Sequence, residues 1–320
     1  MSGLLTGKTI AVTGAAGFIG SRVVDRLVGD AGLVIRVARA GLPRIEDVAA
    51  SVIDVIGDVT DRAIWDQVAD ADIVFHFAAR TSDPRADDDG DAHFHANVLP
   101  LRHLFAACGR RCRRPIVVFA GTVTEAGIPS RLPVNEDGPD HPVTSYDRHK
   151  LTAENDLKGA SALGTVCGAT LRLSNVYGPG PTGAKPDRDV LNRMIRAALR
   201  GEPLTVYGTG EYVRDYVFVE DVADAFLKAA AHGEEINGRH FVIGSGRGVT
   251  IRGAFELVAA RVETLTGRRV PVVIANPATA LSDIQKRNFV ADTTRFSAAT
   301  GWRPSWSLSD GIDCTIEAFA

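Results

Sequence analysis

Apolar positions along this chain of 320 residues gather into short runs, separated by longer stretches with helical periodicity. Six runs are nearly continuous: KTIAVTG (8–14), VIRVAR (34–39), SVIDVIG (51–57), IVFHFAA (73–79), PIVVFAG (115–121) and GATLRLS (168–174). Strands that alternate apolar and polar positions leave one face in water, whereas continuous runs suit strands covered on both faces. Their alternation with helix-length segments predicts repeated βαβ units. The expected fold is therefore α/β, a doubly wound parallel sheet of the Rossmann type.

After residue 175 the texture changes to the Gly- and Pro-rich stretch YGPGPTGAKPD (177–187), an amphipathic helix VLNRMIRAALRGE (190–202), a short strand and a helix DVADAFLKAAA (221–231). This is too little regular structure for an independent core. The expectation is a dinucleotide-binding domain over 1–174, rejoined by segments at about 212–245, with 175–320 forming mainly a smaller substrate-binding lobe. No internal repeat or low-complexity segment interrupts the pattern.

Composition narrows the class without changing it. With 45% hydrophobic residues, 23% charged residues and a net charge of -3, the chain reads as an ordinary globular protein, with neither nucleic acid nor membrane as partner. The acidic run Asp87, Asp88, Asp89 reads as a solvated loop. The opening MSGLLTGKTIAVTG has no apolar segment long enough for a signal or a span, so the expected location is cytoplasmic. Cys108, Cys112, Cys167 and Cys314 share no metal-ligand spacing, and no metal is expected.

The first chemical motif is TGAAGFIG (13–20), which joins the first strand to a helix starting near Phe18. Gly14, Gly17 and Gly20 let the chain turn tightly, so that the backbone around Ala16, Gly17, Phe18 and Ile19 can meet a dinucleotide pyrophosphate at the helix N-terminus. Alone, three glycines mark only a tight βα turn; at the head of a βαβ series they predict dinucleotide binding. Such sites usually carry an acid at the end of the second strand, but here that place holds Ala38 or Arg39. Arg39, with Arg36, either faces a 2′-phosphate, which favours NADP, or is a surface arginine. Asp58, followed by Val59 after the third strand, either reaches the adenine or caps a turn.

The second motif is TSYDRHKLTAE (144–154), with Tyr146 and Lys150 four apart on one helix face. An ammonium beside a phenol lowers the phenol's pKa, preparing it to take a proton from a substrate hydroxyl while hydride passes to nicotinamide.

With these motifs in their order, together with HFAAR (76–80), the helix around Asn97, RLSNVYGPG (172–180), YGTGEYVRDYVFVEDVADA (207–225), FVIGSG (241–246) and GWRPSW (301–306), the chain resembles the NAD-dependent epimerase/dehydratase family of extended short-chain dehydrogenases. The likeness covers nearly the whole length. It implies NAD as cofactor, a nucleotide sugar as substrate, UDP-linked by family habit, and a homodimer. It places Phe77, Ala78 and Ala79 against the cofactor. It adds Thr122 to Tyr146 and Lys150 as the hydroxyl partner at the sugar's C4 oxygen. Thr81, Asn175 and Tyr177 would lie by the sugar or its diphosphate, Arg214 on the diphosphate, and Val206 and Tyr207 at the nucleobase. Arg214 could equally pair with Asp215. The further arginine that many relatives carry is missing from ATALSD (278–283), leaving Lys286 or Arg287 as weak substitutes.

The loop FAGTVTEAG (119–127) departs from the family. Relatives that are 4,6-dehydratases carry Thr-Asp-Glu where this chain has Thr122-Val123-Thr124, and Ala126 replaces a tyrosine. The standard acid and base are absent, and Glu125 stands one residue late. It either reaches the sugar, supporting loss of water across C5 and C6 after C4 oxidation, or turns away to cap a helix or pair with an arginine. The leading expectation is the 5,6-dehydratase, a type of enzyme known from antibiotic biosynthesis on UDP-N-acetylglucosamine; the alternatives are a 4-epimerase and a dinucleotide-sensing protein without catalysis.

Overall fold

The computed structural model describes residues 5–81, 90–111, 113–181, 189–277 and 280–320. The Asp87–Asp89 run, Cys112, residues 182–187 of the Gly/Pro stretch, and Ala278 and Thr279 lie outside the described residues. The strands are β1 (Thr9–Thr13), β2 (Leu33–Ala38), β3 (Ser51–Ile56), β4 (Ile73–His76), β5 (Ile116–Thr122), β6 (Cys167–Leu173), β7 (Asn175–Tyr177), β8 (Leu204–Tyr207), β9 (Val213–Phe218), β10 (Arg239–Ile243), β11 (Gly248–Thr250) and β12 (Val272–Ala275). The helices are α1 (Phe18–Leu27), α2 (Arg62–Val68), α3 (Gly90–Asn97), α4 (Leu99–Arg111), α5 (Ser145–Ala162), α6 (Val190–Leu199), α7 (Val219–Ala231), α8 (Gly233–Ile236), α9 (Ile251–Thr266), α10 (Asp283–Lys286), α11 (Thr294–Thr300) and α12 (Leu308–Phe319).

All six strands expected from the apolar runs form, and β10 adds a seventh. The order β10-β6-β5-β4-β1-β2-β3 is parallel throughout, the doubly wound arrangement. One face packs Ile10, Val12, Phe75 and Val118 against α1 and α7 side chains such as Val23, Val24 and Phe226. The opposite face packs Val37, Val74, Val117 and Phe119 against Trp65, Leu101, Leu104, Ala153 and Leu157 of α2, α4 and α5.

The βαβ pattern fails once, between β2 and β3. Residues 39–50 contain Gly41 and Pro43 and carry no helix, so β3 is an incompletely covered edge, with Ile53 51% and Ile56 49% exposed. The C-terminal residues also depart from expectation: they have a core of their own, in which Leu191, Ile195, Leu204, Phe255, Val258 and Ile312 are buried together. Helices α9 and α12, absent from the sequence reading, supply the missing apolar surface. Two small sheets, β11-β9-β7 and β12-β8, accompany them.

Register brings the chemistry together. Thr13 pairs with His76 and His76 with Phe119, so the ends of β1 and β4 lie abreast while β5 continues beyond them to Thr122, and the loops after all three lie on one edge of the sheet.

Candidate active site

The turn after β1 is shaped by backbone crowding. Gly14 has φ +68, and a Cβ there would lie 2.9 Å from the Ala78 nitrogen; at Gly20 it would lie 2.3 Å from the Gly14 carbonyl oxygen. Only glycines allow α1 to start this close to the strand ends. Helix α1 has no side-chain cap and no acid in its first turn, which leaves its first N–H groups and its dipole to an anion. The side chain of Thr13 fixes the neighbouring loop: its hydroxyl accepts the Ala78 N–H at 3.2 Å and lies 2.8 Å from His76 Nδ1. Asn97 then clasps the backbone of Arg80, accepting its N–H and donating to its carbonyl, both at 2.9 Å, just before Thr81. Gly14 thus lies against the backbone of Phe77 and Ala78, and the glycine turn with the uncapped start of α1 forms a cradle that fits a dinucleotide pyrophosphate.

The two arginines at the end of β2 separate. Arg36 is buried and holds both oxygens of Asp54, at 2.7 and 2.9 Å, besides donating to the Pro43 carbonyl at 3.0 Å. It is a structural ion pair, which corrects the reading that placed it with Arg39 on a 2′-phosphate. Arg39 is exposed at the strand end. Asp58 is exposed and accepts the Thr60 N–H at 2.9 Å, closing the turn in which Val59 receives the Trp65 indole N–H.

In the loop after β5, burial alternates. Thr122, Thr124 and Ala126 are partly open, whereas Gly121, Val123 and Glu125 are buried; residues 123–126 form one turn of 3-10 helix at the end of β5. Glu125 therefore faces inward. One oxygen accepts the Thr122 N–H at 2.7 Å in a capping box, and the other lies 3.2 Å from Arg172 Nε. Its carboxylate occupies room left by the bare Gly121, where a Cβ would meet it at 2.9 Å. Burial, reinforced by nearby Glu154, raises its pKa well above the carboxylate range. Arg172 is shared with Glu154 and Asp140, so Glu125 belongs to a buried charge network under the site. Of its two expected arrangements, Glu125 here takes the capping and arginine-pairing one.

On α5, Tyr146 is partly open. Lys150 is buried, donates from Nζ to the Ala120 carbonyl at 2.8 Å, and lies 5.9 Å from the Tyr146 ring centroid. Burial pushes its pKa down to about 8 against the opposing pull of Glu125. His76, beneath it, is pushed down to about 3 by burial and by Lys150, and so is neutral. Loop and helix are joined through two residues that the sequence reading did not select. The Thr122 and Thr124 hydroxyl oxygens are 3.0 Å apart, and Thr124 donates to a carboxylate oxygen of Asp147, the residue after Tyr146. Asp147 was legible only as the last residue of the capping signal in TSYD.

The substrate candidates divide. Asn175 is partly open on β7. The Tyr177 side chain is 1% exposed, and its hydroxyl donates to the Leu308 carbonyl at 3.2 Å within the C-terminal core. The Val206 side chain is likewise in that core, whereas Tyr207, pointing the other way along β8, is exposed. Arg214 does not pair with Asp215. Asp215 is spent on N–H groups of Ser245, Gly246 and Ala291 and on the Ser245 hydroxyl, while Arg214 donates to the carbonyls of Gln285 and Arg287. Arg287, one of the two weak substitutes, is buried beside Arg214. It is 9% exposed, its Nε and Nη1 have no hydrogen-bond partner, and burial beside Arg214 lowers its pKa to about 10, with Asp147 opposing. Lys286 instead points outward to Asp283. Among the described residues there is no cluster of metal-ligating side chains, and no helix is long and apolar enough to cross a membrane.

Residues 10–244 match the family model described as the NAD dependent epimerase/dehydratase family. The chain is 31% identical to a UDP-glucose 4-epimerase of Mycolicibacterium smegmatis, over 96% of this chain and 97% of that one. It superposes on the Thermotoga maritima UDP-glucose 4-epimerase solved with UDP-glucose at TM-score 0.82 and 29% identity, covering 97% and 98% of the two chains. The Thermus thermophilus UDP-glucose 4-epimerase complex with NAD gives 0.79 and 27%, covering 97% and 98%.

Proposed function

We propose that this chain, which belongs to the NAD-dependent epimerase/dehydratase family, oxidises C4 of a UDP-linked hexose or hexosamine and then reduces it from the other face, as a UDP-sugar 4-epimerase. The observation that carries this over the dehydratase is the inward turn of Glu125. A 4-epimerase needs no acid or base at C5 or C6, and the loop presents only the hydroxyls of Thr122 and Thr124 on its open side.

NAD, when bound, supplies a hydride acceptor that later returns the hydride. The residues here do the rest. The α1 N-terminus and the glycine turn hold the pyrophosphate, and the engagement of Arg36 by Asp54 removes half of the basic pair that favoured NADP. Tyr146 takes the C4 hydroxyl proton, Lys150 favours its anionic form, and Thr122 holds the C4 oxygen. Arg214 with Arg287 forms the cationic end of the site for the diphosphate, and exposed Tyr207 offers a face to the nucleobase. Loss of water across C5 and C6 is the second reading, supported by one observation: Asp147 lies one hydroxyl behind Thr124.

Mass spectrometry and NMR of UDP-glucose, UDP-galactose and their N-acetylamino counterparts, incubated with the protein and NAD, separate the two. The 4-epimerase requires an unchanged mass with inverted C4. Loss of water would overturn it in favour of elimination, and unaltered sugars would remove both.

A further inference from the structure

The loop hydroxyls and Asp147 form a chain with one direction. Thr124 has a single hydroxyl proton, and it points to the Asp147 carboxylate. At the 3.0 Å contact between the two threonines, Thr122 must therefore be the donor. The Thr122 oxygen also accepts the Thr124 N–H at 3.3 Å, and its second lone pair is left as an acceptor on its open side. Asp147 is 2% exposed, and its other oxygen accepts the Thr144 N–H at 3.1 Å, so its position is fixed by the start of α5. The charged or titratable groups around it are Arg287, from the segment after α10, and Tyr146 and Arg148 beside it on α5.

We propose that Thr122, Thr124 and Asp147 form a proton relay, a second route beside Tyr146 by which the C4 hydroxyl proton leaves during oxidation. The inference rests on C4 oxidation as the reaction. As the C4–H bond breaks and its electron pair passes to the cofactor, the hydroxyl proton moves to Thr122, the Thr122 proton to Thr124 and the Thr124 proton to Asp147. Every hydroxyl keeps one proton, and the carboxylate becomes a carboxylic acid. The shift reverses the chain, so that Thr122 now donates to the new C4 carbonyl. The same residues thus serve as acceptor to the alcohol and donor to the ketone. Reduction of the ketosugar runs the relay backwards and restores the carboxylate. Thr122 is the catalytic member; Thr124 and Asp147 are positioning residues that act through it.

Two substitutions break the relay differently. Asp147→Asn keeps an oxygen for the Thr144 N–H but turns its amide to donate to Thr124, fixing the chain in the ketone-binding direction. Thr124→Val removes the middle hydroxyl at similar volume, and Thr124→Ser restores it. In single turnovers followed by reduced-nicotinamide absorbance, both breaking variants should slow C4 oxidation about tenfold or more and lose part of the solvent deuterium effect, while Thr124→Ser stays close to wild type. Difference infrared spectra supply a readout independent of turnover. Formation of the ketosugar should bring up a carboxylic-acid band in the wild type that is missing from Asp147→Asn and Thr124→Val. A Thr124→Val enzyme with wild-type rate, isotope effect and infrared band would overturn the relay. A wild type that never reduces its nicotinamide on any UDP-sugar would overturn C4 oxidation itself, and with it the ground on which the relay stands.

Discussion

Replacing Glu125 separates a structural carboxylate from a catalytic one. Glu125→Gln preserves the shape and the acceptor for the Thr122 N–H. It removes a charge whose burial, with Glu154 nearby, holds its pKa well above the carboxylate range. Arg172 retains Glu154 and Asp140 as partners. The variant should therefore stay within ~1 kcal/mol of wild-type stability at neutral pH. Glu125→Ala also loses the cap and leaves a cavity, together about 2–4 kcal/mol, which for 320 residues lowers Tm by roughly 3–6 °C. The pH dependence has a definite sign. A raised carboxyl pKa means that the folded state binds more protons than the unfolded state between the ordinary glutamate range and the raised value. Wild-type stability should fall as pH rises through that window, and Glu125→Gln should lack this component. Thermal unfolding by circular dichroism across pH, paired with UDP-sugar turnover, reads both effects. Loss of a general acid or base costs about a hundredfold or more; a Glu125→Gln enzyme that folds normally and turns over a hundredfold slower would refute the structural reading.

Tyr146→Phe should cost on the order of a hundredfold in turnover while NAD binding, read by calorimetry, persists; full activity would remove the phenol from the mechanism. Arg287→Leu should raise KM for the UDP-sugar about tenfold or more, the worth of a charged hydrogen bond, without lowering Tm, because a buried guanidinium lacking partners at two nitrogens is removed. An unchanged KM would take Arg287 out of the site. Lys150 carries a folded pKa of about 8, so the unfolded state binds more protons between there and the ordinary lysine value. Stability of the NAD-free protein should then rise with pH across that interval by roughly 3 kcal/mol, and Lys150→Met should lack the rise in urea titrations.

Much of the site was legible because its residues answer to local rules. The glycine turn, the Tyr146–Lys150 spacing and the place of Thr122 after β5 follow from strand ends and helix periodicity, which a sequence displays directly. The burial of Arg287 beside Arg214 was hidden because it depends on packing, not on its neighbours along the chain. The burial of the Tyr177 and Val206 side chains was hidden likewise: the core of α9 and α12 that takes them in is assembled from segments far along the sequence.

Sequence by itself determined the parallel sheet, the glycine turn and the helix that carries Tyr146 and Lys150 on one face, because continuous apolar runs and fixed spacings leave the backbone few alternatives. Only the tertiary structure decided which way the loop of Glu125 turns. In the turn on the sheet edge Val123 and Glu125 are buried, whereas Thr122, Thr124 and Ala126 stay partly open. Arg172, 47 residues on, and the bare Gly121 make the inward pocket that a carboxylate fills, and α5 brings Asp147 to the outward side. Neither Arg172 nor Asp147 adjoins the loop in sequence, so no local pattern could give the two carboxylates their opposite placements.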